Sequence, residues 1–286
     1  MATGTFPSAT ETNSTLASVI PGLFAEKMNN FYRNSLVCAN FFTDLSADLS
    51  SGTKTLLIPN ITEMTAHSKS NTAAVTLNNP TDDQITLTVD TWYECSFAIE
   101  DKEVEQVKKS YNYMARLADN AAYTVAGEYE DAIIALFDNF TQTVGTSAAD
   151  LADSNILRAI QYLNAADAPR ENRAFFLSNK QIWSDLMLID KFTVVNQSPT
   201  ADPLNKGFQG YLYGFPVYES NRIGTTDGSA QGCFAHADAI VHASTIMRVQ
   251  SNYIPQYLST ITTADVVFGV IENRDTSGVW VKTAAA

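Results

Sequence analysis

From Asp101 to Phe137 the chain carries one unbroken amphipathic pattern, and any fold must find room for it. Apolar residues recur at Val104, Val107, Tyr111, Met114, Leu117, Ala121, Val125, Tyr129, Ile133 and Leu136. Steps of three and four place them on one face of an α-helix. No proline interrupts the run and Gly127 is its only glycine. At 1.5 Å per residue such a rod is roughly 50 Å long, against about 11–12 residues for a mean globular helix. An extended arm feeding a rod of this length is a shape suited to touching neighbours.

What precedes the rod is also elongated. Residues 1 to about 15 are rich in Ser, Thr, Ala and Asn and carry too little apolar surface to pack, which predicts an arm. Pro21 suits a first helical turn, and Leu23, Phe24, Met28, Phe31 and Leu36 continue a helix-like stripe. Thr55 to Pro59 reads as a strand after the turn at Ser51-Gly52. A second strand starts at Gln84, with Ile85, Leu87 and Val89 on one face and Thr86, Thr88 and Asp90 on the other, and runs on to Ile99. Between the strands lies a polar stretch from Thr62 to Asp83. A structureless loop of that length is uncommon inside a compact domain unless it is functional, so a projecting β-hairpin is expected. Its charges, Lys54, Lys69, Asp82 and Asp83, are candidates for pairing with a neighbouring subunit. The poverty of apolar residues at the tip points to a wet, adjustable contact.

After the rod the pattern alternates. Ser154 is a plausible N-cap for a helix bearing Ile156, Leu157, Ile160 and Leu163, and Arg173 to Leu177 reads as a buried strand. Asn179 could cap a second helix with Ile182, Trp183, Leu186 and Met187. Asn196 to Gly210 is expected as a loop, Tyr211 to Tyr218 as strand around Gly214-Phe-Pro, and Gly224 to Gly232 as an exposed, flexible loop. The last forty or so residues look all-β, with strands at Met247 to Gln250, Tyr253 to Tyr257, Asp265 to Ile271 and Val279 to Lys282. The class is α+β, with a mixed sheet flanked by helices.

Chemistry is sparse. A formal charge of -13 and a pI near 4.5 repel phosphate backbones, so tight, sequence-reading nucleic-acid binding is not expected, although an acidic wall could enclose nucleic acid without gripping it. Cys38, Cys95 and Cys233 lie far apart and form no CxxC pair, which points to reduced thiols. Nowhere do about 18 apolar residues run together, so no membrane span is expected. The histidines are His67, His236 and His242; the spacing of His236, Asp238 and His242 does not guarantee convergence on a metal, so a structural role is expected. Glu128 to Asp131 clusters carboxylates, read as a solvated face. No G-x-S-x-G elbow, P-loop or G-x-G-x-x-G is present. No catalytic, metal or cofactor residue is assigned, and no enzyme is expected.

The order of the parts resembles the major capsid proteins of tailed bacteriophages of the Hong Kong 97 type. Asp101-Lys-Glu-Val-Glu-Gln106 followed by Leu117-Ala, Ala126 and Glu130-Asp131 looks like the start and body of that family's spine helix. Arg173-Ala-Phe-Phe-Leu-Ser-Asn179 with Ser184-Asp-Leu-Met187 looks like its axial-domain strand and helix. Gly214-Phe-Pro-Val217 and Phe234-Ala-His-Ala-Asp-Ala-Ile240 look like two of its recurring segments. The resemblance implies an N-terminal arm with a short helix over 1–52, an extended loop over 53–100, and a spine helix with part of the peripheral domain over 101–149. An axial domain over 150–245 and a return to the peripheral domain over 246–286 would follow. It further implies self-assembly into the hexamers and pentamers of an icosahedral shell around double-stranded DNA, in a virion assembled in the host cytoplasm. Portal and decoration proteins would be partners. Because the arm starts almost at Met1, the scaffolding protein is expected to be separate. An encapsulin-like nanocompartment shell is the alternative on the same fold, and an α+β hydrolase or sugar-binding module the alternative from another class.

Overall fold

The computed structural model describes residues 10–11, 37–49, 53–61, 64–79, 82–102, 113–189, 210–226 and 228–285. Apart from Thr10, Glu11 and Gly210, the arm, the Pro21–Leu36 helix and the Asn196–Gly210 loop lie outside them. Strand β1 (Thr10–Glu11), helix α1 (Cys38–Phe41) and strand β2 (Thr43–Asp44) come first. Strands β3 (Thr55–Ile61), β4 (Asp82–Thr88) and β5 (Thr91–Glu100) precede the long helix α2 (Tyr113–Ile134). Then come β6 (Thr143–Gly145), α3 (Asp153–Ala165), β7 (Arg173–Leu177), β8 (Tyr211–Leu212), β9 (Phe215–Glu219), β10 (Thr225–Thr226) and β11 (Ser229–His236). The chain closes with β12 (Ile240–Ile254), β13 (Ser259–Glu272) and β14 (Gly278–Ala284).

Among the described residues three sheets result. β1-β5-β13-β12-β2 is five-stranded, β3-β4 is a separate two-stranded ribbon, and β6-β14-β11-β7-β9-β8 is the path of a third sheet in which β10 also pairs with β11. The segment 246–286 is therefore shared: β13 lies in the five-stranded sheet, while β14 lies beside β11 in the third.

The buried stripe of α2, Ala121, Val125, Tyr129 and Ile133, follows the expected spacing and packs on Ala264, Val266 and Phe268 of β13. The same core continues into Ala174, Phe176, Cys233, Ala235 and Trp280, so α2 bridges one face of each large sheet. The opposite face of the third sheet, Phe175, Leu177, Phe234, Val279 and Val281, packs on Ile156, Ala159 and Leu163 of α3. Each fully buried Leu or Phe contributes about 1.5–3 kcal/mol, so these two layers dominate cohesion.

Several expectations need correction. The rod is helical at Asp101–Lys102 and from Tyr113, with 103–112 outside the described residues, and it stops at Ile134 instead of Phe137. Phe137 and Phe140 are drawn into the core there, and a 3-10 turn over Phe137–Asn139 replaces the last helical turn. The strand expected to run unbroken from Gln84 to Ile99 is two strands that serve different sheets, with Val89 and Asp90 between them. Leu87 and Val89 do face inward, as the alternation requires. α3 is flanked by Ala152, without a side-chain cap, so Ser154 sits inside the helix; Leu157 points outward and Ala159 takes its place in the core. Ser178, not Asn179, meets the next helical segment: its Oγ accepts from the Gln181 N–H at 3.4 Å. That segment is a π-helical turn, Gln181–Asp185, and Trp183 on it is exposed.

The largest departure concerns Gly224 to Gly232. Thr225 and Thr226 turn into β11, and every residue from Ser229 to His236 is buried, with β11 paired on both sides by β7 and β14. The small residues serve close approach: a Cβ on Gly232 would lie 2.4 Å from Gln181 Oε1. Gln181 in turn donates to the carbonyls of Ala230 and Val281, both at 3.2 Å, stitching β11 to β14.

The ribbon sits on the face of the five-stranded sheet opposite α2. Leu87 and Val89 meet Ala243, flanked by Leu45, Leu49, Leu56, Ile58, Val267 and Ile271. Gly269 allows backbone to touch backbone here, because a Cβ would meet the Thr88 carbonyl oxygen at 2.1 Å. Gly269→Ala is expected to destabilise the subunit by about 1–3 kcal/mol through overpacking. Urea unfolding of the two proteins checks this.

Candidate assembly surfaces

Beyond its base the ribbon leaves the body. Every described residue from Met64 to Asn79 is exposed. The tip is closed by its own polar atoms: His67 Nε2 and Asn78 Oδ1 lie 3.0 Å apart, and Asn78 Nδ2 donates to the Thr65 carbonyl at 2.8 Å. The four charged candidates do not form one site. Lys54 is at the base, where its carbonyl accepts from the Val89 N–H at 2.8 Å. Lys69 is at the tip, and its ammonium donates to the Ser70 and Ala73 carbonyls. Asp83 is exposed and its Oδ1 accepts from the Gln84 N–H at 2.8 Å. Asp82 stands opposite Ile61 at the far end of the ladder.

The tip is less polar than expected. Leu77, Val75 and Met64 are 84%, 65% and 64% exposed, so a surface covering this finger would bury apolar area as well as water-mediated contacts. Leu57 on the ribbon and Trp92 at the start of β5 are also exposed.

A second surface is where the N-terminal part of the chain meets the body. Glu130 is completely buried in α2, and its carboxylate accepts from the backbone N–H groups of Val37 and Cys38 at 2.7 Å and Ala39 at 3.0 Å. These are first-turn donors of α1, which have no partners within the helix, and a carboxylate complements the positive end of the helix. Beside it the Tyr129 hydroxyl meets His242 Nδ1, and His242 Nε2 lies 3.0 Å from the Ala39 carbonyl. An Nε2–H donating to that carbonyl leaves Nδ1 to accept from Tyr129, which is the neutral ring. The strand after α1 is sewn down as well: the Leu45 N–H donates to the His242 carbonyl at 2.9 Å, and the Ser244 N–H to Ser46 Oγ at 2.9 Å.

The carboxylate cluster Glu128–Asp131 is thus not a solvated face. Glu130 caps α1, and Asp131 pairs with the Arg222 guanidinium, which also donates to the Gly127 carbonyl at 3.1 Å. A signal for Glu130 was available: it follows Ala126 and precedes Ile134 by four positions, a charge set among apolar neighbours. His236 serves a local turn, its Nδ1 accepting from the Asp238 N–H at 3.1 Å. Among the described residues no three His, Cys, Asp or Glu side chains converge as a metal site, and no helix is long and apolar enough to cross a membrane. Burial, then the Glu130 charge, hold the Cys38 thiol well above its ordinary range, and burial raises Cys233 likewise. Neither is primed as a nucleophile.

Glu130→Ala strands three N–H groups and is expected to cost about 3–5 kcal/mol, with Glu130→Gln milder because one acceptor remains. Urea midpoints check the order. A pH effect accompanies it. Burial holds His242 below its ordinary value of 6.5, against a smaller opposing pull from Asp44. As pH falls, the unfolded chain takes up the proton first, so this contribution is complete above about pH 6.5 and is lost toward the lower folded value. Between about pH 7 and about pH 5.5, wild type should lose more stability than His242→Gln.

No protein-family model matches the sequence, and no curated protein matches it. Solved structures do. A chain from Mycobacterium phage Che8 superposes with a TM-score of 0.79 at 22% identity, over 92% of this chain and 96% of that one. The mature capsid of bacteriophage PhiM1 gives 0.71 at 14% identity, over 93% and 92%. The capsid of a native GTA particle gives 0.69 at 16% identity, over 94% and 96%. Over more than nine-tenths of its length, this polypeptide has the fold of phage capsid subunits.

Proposed function

We propose that this chain is a major capsid protein of the Hong Kong 97 type, self-assembling into the hexamers and pentamers of an icosahedral shell that encloses double-stranded DNA. The observation that carries the reading is the match over nearly the full length of both chains to capsid structures, joined to a ribbon whose apolar tip none of the described residues covers. The names of the similar structures are those of phage and GTA particles, which favours a viral shell over a cellular nanocompartment. The subunit acts as structure and not as an enzyme.

The mechanism is geometric. Each ribbon lies across a neighbour, where Leu77, Val75 and Met64 gain cover and Lys54, Lys69, Asp82 and Asp83 gain partners. Head-to-tail contacts of this kind close into rings when the rotation allows. Of the segments the resemblance implies, 53–100 supplies the extended loop as far as Thr88 and then β5 of the five-stranded sheet, and the arm and α1 over 1–52 are a second grip. Segments 101–149 and 246–286 form the peripheral domain, except that β14 joins the third sheet of the axial domain, 150–245. The charge of -13 keeps enclosed DNA loosely held. A separate scaffolding protein, a portal and decoration proteins complete the particle, assembled in the host cytoplasm.

Co-expression with a neighbouring scaffold gene, followed by sizing and electron microscopy, is expected to yield uniform particles tens of nanometres across. Deleting Thr65 to Thr81 should leave folded, soluble subunits that close no shells. Normal particles from that deletion would remove the ribbon from its role as the clasp.

A further inference from the structure

The hairpin of β12 and β13 ends in a turn whose apolar side chains lie open to solvent. Pro255 to Leu258 join the two strands, and the Tyr257 N–H donates to the Ile254 carbonyl at 3.1 Å. Leu258 is 63% exposed, and Tyr253 and Tyr257 are exposed with it. Leu258 also has φ +47°, in the left-handed region where a side chain is unfavourable and glycine is the usual occupant. The Asp101 N–H donates to the Leu258 carbonyl at 2.9 Å and holds it there. Leu258 joins none of the buried clusters. A leucine kept exposed in a costly backbone conformation points to a role outside its own core.

The charge pattern says what partner fits. From Gln250 to Ala264 no residue is charged, in a chain whose formal charge is -13. Copies of so acidic a chain repel one another, and an uncharged tip is where two of them can approach. Both signs stand around it. Glu100 lies opposite Ser259 in the ladder, and the Asp101 carboxylate accepts from the Tyr253 hydroxyl at 2.8 Å. Lys102 follows and is exposed.

An apolar centre with a polar rim is the anatomy of a protein–protein contact, and tyrosine is enriched in such centres. A rim carrying both signs is complementary to itself, because Lys102 of one copy meets Glu100 of the other. We propose that the Pro255–Leu258 turn packs against the same turn of a second copy, with Tyr257 and Leu258 at the centre and Glu100 and Lys102 at the rim. One turn covers well under the roughly 800 Å² per partner of a standard interface. The contact is therefore weak and easily parted. It uses no residue of the ribbon and does not depend on shells being closed.

The test traps pairs of subunits in full-length protein carrying Cys95→Ser. Leu258→Cys, oxidised mildly, should form covalent dimers about tenfold faster than Ser147→Cys, an exposed control, because the contact raises the local thiol concentration. Adding Lys102→Glu to Leu258→Cys should slow the reaction, and mixing that protein with one carrying Glu100→Lys and Leu258→Cys should restore it. Rates equal to the control, or indifferent to the two charges, overturn the proposal. Leu258→Gly gives a separate reading. It frees the backbone and removes the side chain, so its urea midpoint should equal or exceed that of wild type. A lower midpoint would show a leucine that serves its own fold, and would also overturn the proposal. Particle formation is read independently by the ribbon deletion, so failure of either idea leaves the other standing.

Discussion

A carboxylate with no access to water holds the chain's early and middle parts together. Glu130 sits in the core layer of α2 and spends its oxygens on the N–H groups of Val37, Cys38 and Ala39. Isolated, such a charge would be strongly penalised in an apolar interior; with three donors it becomes a directional bond that apolar packing could not supply. It sets the start of α1, which places Phe41 and Phe42 against Phe176 at ring separations of 5.1 and 5.4 Å. Those rings in turn join the N-terminal segment to the third sheet. Residues far apart in sequence meet around one side chain.

Much of the fold was legible because periodicity survives in the core. The stripe through Ala121, Val125, Tyr129 and Ile133 and the alternation through Leu87 and Val89 face inward as their spacing requires. What escaped reading were tertiary decisions. Nothing in Gln84 to Ile99 says that Val89-Asp90 hands the chain from one sheet to another, since both sheets accept the same alternation. Gly224 to Gly232 has the composition of a loop, yet Ser229 onward lies in the middle of a sheet, where small residues admit Gln181 and its bonds to two strands. Composition cannot separate glycine chosen for freedom from glycine chosen for room.

The surfaces were harder still. Charge drew attention to Lys54, Lys69, Asp82 and Asp83, but the ribbon spreads them from base to tip and Lys69 turns its ammonium onto its own loop. The apolar side chains of the tip are separated in sequence by polar ones, so no pattern marked them; exposure did. Glu130 sat in a cluster that looked uniformly solvated because neighbouring positions on a helix face different surroundings. One turn of α2 holds Glu130 in the core and Asp131 at Arg222.

The ribbon and the five-stranded sheet are consecutive in sequence yet share no ladder. Between them stand two residues, Val89 and Asp90, and the seat where the Thr88 carbonyl rests on Gly269. Tilting a strand inside a sheet breaks its hydrogen bonds one after another. The ribbon's ladder is closed within itself, so what ties it to the body is the packing at the seat, backbone against backbone at Gly269 and side chains around it. The ribbon is therefore joined to the body by a two-residue link and one packed seat, and its ladder is complete without the sheet beneath it.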